Sequence, residues 1–292
     1  MGGPDRSWSA RKTVGTALGF VSALLAAGTL LACSPGAAPV PGTSTPAPGA
    51  APEMRTLFDG ARRIALSSDG NQHDEDDWAG AAMGLAILAH GGLQANVVHY
   101  DYNNHIWDSE ERHRRNMTES VMEGGERFGF DTSRFYDATN PDELAAGTEN
   151  LAAEINRSTP DDELWLLLAG PMETAWMGLS AADPQARKSV KCLSHGKWNE
   201  THGHDDHGGH TYDDLIDLGC QKVRIPDQNS NLGETDMSDW DYLKDGGDDM
   251  EWLYSRIDLL GNGDVSDAGM DYYVITGDKN VTRPELRSFF ES

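Results

Sequence analysis

The sequence predicts a doubly wound α/β fold, in which a mostly parallel sheet is covered by helices on both faces. Strand and helix patterns alternate between positions 62 and 291, as this fold class requires. The run LWLLLA at 164–169 is apolar throughout, which is typical of a strand covered on both faces. Polar and acidic residues directly follow several predicted strands, where open α/β sheets place their ligand sites.

The elements follow from their apolar patterns and flanking residues. A short apolar run predicts a strand at 62–67, and an apolar stretch predicts a buried helix at 77–90. Val97 and Val98 lie at the centre of a second strand, 94–100, which precedes a polar loop at 101–107 and a polar helix at 109–128. Pro141 opens the next helix. The remaining predicted elements are that helix to 156, strands 164–169, 189–193 and 222–225, and helices 172–182, 212–218, 248–260, 267–276 and 283–291.

Residues 1–33 have the features of a bacterial lipoprotein signal peptide. Three basic residues precede an apolar run from 14 to 31, and residues 30–33 resemble a lipobox whose lipidated residue is Cys33. The alternative is an uncleaved anchor, but the run is near the lower length limit for a membrane span. Residues 34–53 are rich in Ala, Pro, Gly, Ser and Thr and predict an extended linker. The expected location is the cell envelope, where the lipid anchor is the only membrane contact.

The size, net charge and cysteine content of the chain indicate which classes of binding partner and which compartment suit it. Residues 54–292 have the size of one α/β domain, and the whole chain has a formal net charge of −25. An acidic surface argues against nucleic acid as a partner and suits a secreted protein with a bound cation. Besides Cys33 the chain has Cys192 and Cys220. An oxidising exterior favours a disulfide between them, and a free buried pair is the alternative.

Five acidic residues crowd the turn between the first strand and the first helix: Asp69, Asp74, Glu75, Asp76 and Asp77. Like charges packed together repel one another, and they lose hydration when they are partly buried. A hard cation removes that conflict, because carboxylate oxygens are its preferred ligands. The alternative is a capping loop with a solvated acidic face, which one or two acids would satisfy. The number and position of these acids favour a site.

This stretch resembles the nucleoside hydrolase signature Asp-x-Asp-x-Gly-x-Asp-Asp. It is closer still to secreted, carbohydrate-associated bacterial relatives of that fold, whose loop is longer. Ser67 stands where the first Asp of the family would be, and the loop from Asp69 to Asp76 exceeds the hydrolase pattern. The resemblance extends in order over most of residues 60–280.

A second segment, Gly170-Pro171-Met172-Glu173, resembles the hydrolase segment Gly-Pro-Leu-Thr after a central strand. The family's Thr offers its backbone carbonyl to calcium, and Glu173 occupies that place here. Proline near a helix start also occurs without any function. In the family, the loop after a later strand supplies sugar contacts. Asn199 and His195 are the matching candidates, with Trp198 as a stacking surface or, alternatively, a core residue.

Two further segments bear on metal binding. Residues 202–210 contain four His and two Asp, which suggests zinc, although their spacing fits no standard structural pattern and a solvated flexible loop is the alternative. Asp267 matches the late calcium-binding Asp of nucleoside hydrolases. Ser266 stands where the family has the His that protonates the leaving base. That departure implies a different leaving group, or no catalysis.

The resemblance implies hydrolysis of an N- or O-glycosidic bond in a nucleoside or sugar derivative, through a metal-bound water. Asp69 would be the general base, with His195 or His202 as the proton donor. The implied ligands of a divalent cation, most simply Ca²⁺, are Asp69, Asp74, Asp77, Glu173 and Asp267, and the implied substrate contacts are Asp76, Asn103, Trp198 and Asn199. Two alternatives remain: a catalytically silent carbohydrate- or cation-binding lipoprotein, and a zinc-binding His-rich envelope protein.

Overall fold

Six parallel strands form one sheet in the order β3-β2-β1-β4-β5-β6. This description comes from a computed structural model that describes residues 63–70, 77–108 and 110–292. The strands are β1 (Arg63–Ser68), β2 (Val97–Tyr102), β3 (Phe135–Asp137), β4 (Leu164–Ala169), β5 (Val190–Ser194) and β6 (Gln221–Arg224). The predicted signal peptide with Cys33, the linker, Asp74 and Asp76 lie outside the described residues.

The strand order reverses at the centre of the sheet. From β1 the chain moves outward through β2 and β3, and it then returns to place β4 on the other side of β1. In register, Ser68 of β1 lies opposite Ala169 of β4. Crevices outside the carboxyl ends of two such strands are where open α/β folds bind ligands. The predicted doubly wound α/β fold is therefore confirmed.

Helices cover both faces of the sheet. Alternate residues of β1 face opposite sides, so that Leu66 belongs to one apolar core and Ala65 to the other. The first face carries α1 (Asp77–His90), α2 (Glu111–Thr118), α3 (Gly124–Arg127), α9 (Asp248–Ile257), α10 (Gly269–Thr276) and α11 (Arg283–Phe290). The second face carries α4 (Pro141–Asn156), α5 (Glu173–Ala181) and α7 (Tyr212–Asp217), while α6 (His202–His207) and α8 (Asn229–Leu232) are short segments between strand ends and later helices.

Helix α1 is the central helix of the first face and is buried from Asp77 to Leu88. Its residues are mainly Ala, Gly, Leu and Met, so it is apolar around its whole circumference, as expected of a buried helix. Gly80 lets another segment approach closely, because a Cβ at this position would stand 3.1 Å from the Cβ of Asp267. The late segment of the chain is thereby held against the first turn of α1.

Several sequence predictions need correction. Strand β2 starts at Val97, after a 3₁₀ turn at Gln94–Asn96, and it extends to Tyr102. The edge strand β3 was not predicted, because it has three residues of which only Phe135 is buried. The predicted helix 109–128 runs from Glu111 to Arg127 with a π-helical turn in its middle. Among the described residues, none of the helices has the length and apolar composition needed to cross a membrane.

Of the two alternatives for Cys192 and Cys220, the structure shows the disulfide. Cys192 lies in β5 and Cys220 immediately precedes β6, and a disulfide joins them with their Cα atoms 6.1 Å apart. That separation falls in the normal range for disulfides. The bridge ties the last two strands of the sheet together on the second face.

Candidate functional site

Two buried carboxylates stand at the point where the strand order reverses. Asp69 directly follows β1, is 1% exposed, and donates its backbone N–H to the carbonyl of Ala169 at 3.0 Å. Asp77 begins α1 and is 3% exposed. Its position at a helix N-terminus favours a negative charge. Ordinary capping does not require burial of both acids, so their placement is consistent with a ligand site.

Asp267 reaches the same region from the end of the chain. It sits beside Gly80, one turn after the start of α1, and its Oδ1 lies 2.9 Å from Nε2 of His195. His195 follows β5, is 2% exposed, and accepts the backbone N–H of Gln228 at Nδ1, 3.3 Å away. Because a neutral imidazole carries one proton, Nε2 is then the donor to Asp267. His195 therefore orients the Asp267 carboxylate.

Two amide oxygens at the end of β2 add to this region. Asn103 donates its side-chain N–H to Asp137 Oδ1 at 3.2 Å, and Asn104 donates to Ser67 Oγ at 2.8 Å. Both side chains are at least 98% buried, and among the described residues the Oδ1 atom of each accepts no hydrogen bond. Buried acceptors of this kind are uncommon and call for an explanation such as an ion or water.

Glycines bring these amide oxygens close to the acidic loop. A Cβ on Gly70 would stand 2.7 Å from Asn103 Oδ1. A Cβ on Gly170 would collide with Asn104 Oδ1 and would stand 2.8 Å from the backbone nitrogen of Asp69. The absence of side chains at both glycines therefore lets two uncharged oxygens lie beside Asp69. Carboxylate and amide oxygens together form the donor set that hard cations prefer.

Ser67, the last residue but one of β1, is part of a buried polar network. Its hydroxyl donates to Oδ1 of Asp101 at 2.7 Å, and Thr174 donates to the same oxygen at 2.8 Å. His99 Nε2 lies 3.0 Å from the other oxygen of Asp101. Asp101, on the neighbouring strand β2, thus places a buried carboxylate against Ser67. Asp101 and Asn104 were not predicted. The sequence feature that could have indicated them is the polar run at the carboxyl end of β2.

The segment 202–210 begins with a helix rather than a flexible loop. Helix α6 spans His202–His207, and Gly208 ends it with a φ of 70°. His202 is 7% exposed and stacks on Trp198, with ring centroids 3.5 Å apart. Trp198 itself is 45% exposed, so the alternative of a core tryptophan is wrong. Its free face is available for stacking on a ligand.

The fold and site can be compared with known proteins. The chain is 35% identical over 238 residues to the uncharacterized protein P22 of Formosa agariphila, an alignment that covers 75% of this chain and 85% of that protein. The chain belongs to the P22 family. No family model matches the chain, and no solved structure matches it.

In this P22-family chain, Glu173, predicted as a metal ligand, forms hydrogen bonds with His210. Its Oε2 accepts the backbone N–H of His210 at 2.9 Å and lies 2.8 Å from Nδ1 of the same residue. The His210 ring stacks on Trp176 at 3.5 Å. Within the described ranges, no recorded contact joins Glu173 to Asp69, Asp77 or Asp267. Asn199 likewise lies beside Gly196, with its Nδ2 3.3 Å from the position of a Cβ there, and has no recorded contact with Asp267.

A cavity of about 30 Å³ lies behind Asp267, large enough for a water-sized molecule. Its walls include Ser68, Tyr100 and Asp271, a residue that was not predicted. Asp271 Oδ1 is buried and has no hydrogen-bond partner in the part of the chain that the structure describes. Burial, with a second contribution from the charge of Asp267, raises the pKa of Asp271 to about 8. Burial also raises the pKa of the Tyr100 hydroxyl, which lies 2.8 Å from Ser68 Oγ.

Proposed function

We propose that this chain is a metal-dependent hydrolase that cleaves a glycosidic bond in a sugar or nucleoside derivative. The observation that carries the proposal is the placement of three acids, distant in sequence, around the carboxyl end of β1 and the start of α1. Asp77 starts the helix turn against which Asp267 packs, and Asp267 shares a cavity with Ser68, the residue before Asp69. Independent solvated loops would have scattered these acids. Their common edge of the sheet is where α/β folds bind ligands.

The chemical types of these donor atoms suit a hard divalent cation such as Ca²⁺. Asp69, Asp77 and Asp267 offer carboxylates, and Asn103 and Asn104 offer buried amide oxygens without hydrogen bonds. Calcium takes six to eight oxygen ligands of this type. When bound, such an ion acts as a Lewis acid and lowers the pKa of a water molecule. Glu173 is not required in this ligand set, because His210 already occupies its carboxylate.

Side chains of the protein supply the general base, the positioning of Asp267 and the substrate contacts. Asp69 takes the proton of the attacking water as general base. His195 is a positioning residue that fixes the orientation of Asp267. Trp198 offers an exposed ring face on which a sugar can stack, and Asn199 and Asp76 are the proposed partners of its hydroxyl groups.

Protonation of the leaving group is the step with the weakest candidate residues in this chain. His195 was predicted as a donor, but its Nε2–H points to Asp267 and its Nδ1 accepts the Gln228 N–H. The predicted alternative donor, His202, lies against His105 and Trp198. We therefore infer a substrate whose leaving group departs without a side-chain acid, such as an aryl or other acidic aglycone. The same observation supports the second candidate function, a protein that binds a carbohydrate without cleaving it.

We also propose that the enzyme acts at the cell envelope, attached through a lipid on Cys33. The Cys192–Cys220 disulfide supports this location, because such bonds persist in oxidising compartments. A Cys33→Ala chain is expected to lose its membrane association. Retention of that variant in the membrane fraction would refute lipid anchoring.

The activity is tested by screening the full-length chain, with added Ca²⁺, against nitrophenyl glycosides and ribonucleosides. Asp69→Asn keeps the shape of the side chain and removes the base, so hydrolysis is expected to fall by about 10²–10⁴-fold. The matched control is Asp161→Asn, an exposed aspartate outside the site, which should keep full activity. Sugar binding without product release from any substrate would favour the silent binding protein instead.

A further inference from the structure

A second group of ligating side chains lies next to the proposed calcium site and uses none of its residues. His105, two residues after Asn103, contacts His202 and His207 of α6, with ring centroids 5.2 Å apart in both pairs. One potential ligand atom from each of the three histidines lies within 4.8 Å of the others. His105 and His202 are buried, and His207 is exposed. Imidazole nitrogen suits zinc and other late transition metals, whereas calcium prefers oxygen.

Hydrogen bonds determine which ring nitrogen of each buried histidine carries a proton. His105 Nδ1 lies 2.5 Å from the backbone carbonyl of Asp108, which can only accept. His202 Nδ1 lies 2.9 Å from a carboxylate oxygen of Asp206, which also accepts. Both Nδ1 atoms must therefore be donors. In the neutral rings both Nε2 atoms are then unprotonated.

The two unprotonated nitrogens face each other, because His105 Nε2 lies 3.0 Å from His202 Nε2. Two lone pairs at that distance repel, and either a shared proton or a metal ion between them removes the repulsion. Two nitrogens bound to one tetrahedral zinc at about 2.0 Å would stand roughly 3.3 Å apart. The observed separation is close to that value. The rings are thus already arranged as a pair of metal ligands.

The surroundings hold these ligands in place. The Asp206–His202 pair has the carboxylate–histidine arrangement that orients metal-binding imidazoles. His207 stacks on Trp107, with ring centroids 4.8 Å apart and an angle of 8° between the planes. Gly203 allows Trp107 to approach, since a Cβ there would stand 2.7 Å from the indole. Because each ligand atom lies within 4.8 Å of the others, His207 needs to move inward by at most about 1.5 Å to bind the same ion, and its exposure permits this.

From this geometry we propose that His105, His202 and His207 bind one Zn²⁺ ion. The predicted zinc interpretation of residues 202–210 considered only local spacing, whereas the third ligand here comes from the loop after β2. Three protein ligands leave the fourth position of a tetrahedral zinc open to water or substrate. Trp198 is half exposed and stacks on His202, so it lies beside one of the three ligands. The proposal is independent of the calcium site.

The experiment measures zinc bound by the full-length chain after EDTA stripping and titration against a chromophoric chelator. Wild type is expected to bind one Zn²⁺ per chain. His207→Ala should weaken binding by at least about 100-fold, and Asp206→Asn by about 10–100-fold. The matched control is His204→Ala, which removes an exposed histidine from the same helix that pairs with Asp205 instead. It should bind zinc as wild type does.

Cobalt provides a second readout that does not depend on activity. Co²⁺ bound by three imidazoles should give visible absorption bands in wild type and His204→Ala, and these should be absent from His207→Ala. Circular dichroism checks that each variant is folded. If wild type binds no zinc, His105 and His202 share a proton instead and the proposal is wrong. Equal losses in His204→Ala and His207→Ala would also overturn it, because the helix would then bind metal without a defined site.

Discussion

The buried acid Asp271 should make the stability of this protein strongly pH-dependent. Its side chain faces the cavity behind Asp267, and one of its oxygens has no hydrogen-bond partner within the described ranges. The other oxygen occupies the space that a Cβ on Gly84 would need, so the carboxyl is packed against α1. Burial raises its pKa from 3.8 to about 8. The folded chain therefore keeps a proton at neutral pH that the unfolded chain releases.

The sign of the effect follows from proton counts. Between about pH 4 and pH 8 the native state binds one more proton than the unfolded state at Asp271, so the free energy of unfolding falls as pH rises. The slope is about 1.4 kcal/mol per pH unit, and the full change is at most about 6 kcal/mol. Asp271→Asn has no proton to lose. Its unpaired amide adds a penalty of about 1–3 kcal/mol, which is the same at every pH.

The assay is urea unfolding at pH 5, 6, 7 and 8 in EDTA, with wild type and Asp271→Asn side by side. The difference in unfolding free energy between them should shift steadily in favour of the variant as pH rises. Asp161→Asn, an exposed aspartate, serves as the control and should follow wild type. A wild-type-to-variant difference that is constant from pH 5 to pH 8 would refute the reasoning about burial.

Two further predictions concern stability. Arg63 is buried and donates to Glu154 Oε2 at 3.0 Å and to Ser158 Oγ at 3.0 Å, so Arg63→Met should lower the free energy of unfolding in urea by about 3–5 kcal/mol. Combining Arg63→Met with Glu154→Leu should recover much of that loss, and a loss below about 1 kcal/mol in the single variant would contradict this prediction. The Cys192–Cys220 disulfide spans 28 residues, so Cys192→Ala with Cys220→Ala should lower the free energy of unfolding by about 3–4 kcal/mol, and an unchanged urea midpoint would show that the bridge does not stabilise the fold.

The central elements of the fold were predictable because their sequences allow few alternatives. Strand β4 is apolar at all six positions, and α1 is apolar around its whole circumference. The apolar pattern of β4 is explained by a parallel sheet that is covered on both faces, and the apolar pattern of α1 by a buried helix. The edge strand β3 was missed because three residues, of which only Phe135 is buried, carry no periodic signal.

The candidate site was only partly predictable, for a different physical reason. The crowded acids around Asp69 indicated a ligand because their charges need compensation. His105 gave no such signal, because a single histidine in a polar loop can be recognised as a metal-ligand candidate only once its contact with α6 is known. Asp271 lies inside an apolar helix pattern and is accommodated by the gap at Gly84. The spacing of Gly80 and Gly84 along α1 is the sequence feature that could have indicated a close approach at this position.

The most direct test of the proposed function is a calorimetric Ca²⁺ titration of the EDTA-stripped full-length chain, with Asp267→Asn and the control His204→Ala alongside it. Asp267 is held by His195 against the start of α1, and its charge is one of three in the proposed ligand set. Wild type and His204→Ala are predicted to bind one Ca²⁺ with equal affinity, and Asp267→Asn to bind it at least tenfold more weakly. Absence of Ca²⁺ binding by wild type, or equal binding by Asp267→Asn, would contradict the metal-dependent mechanism.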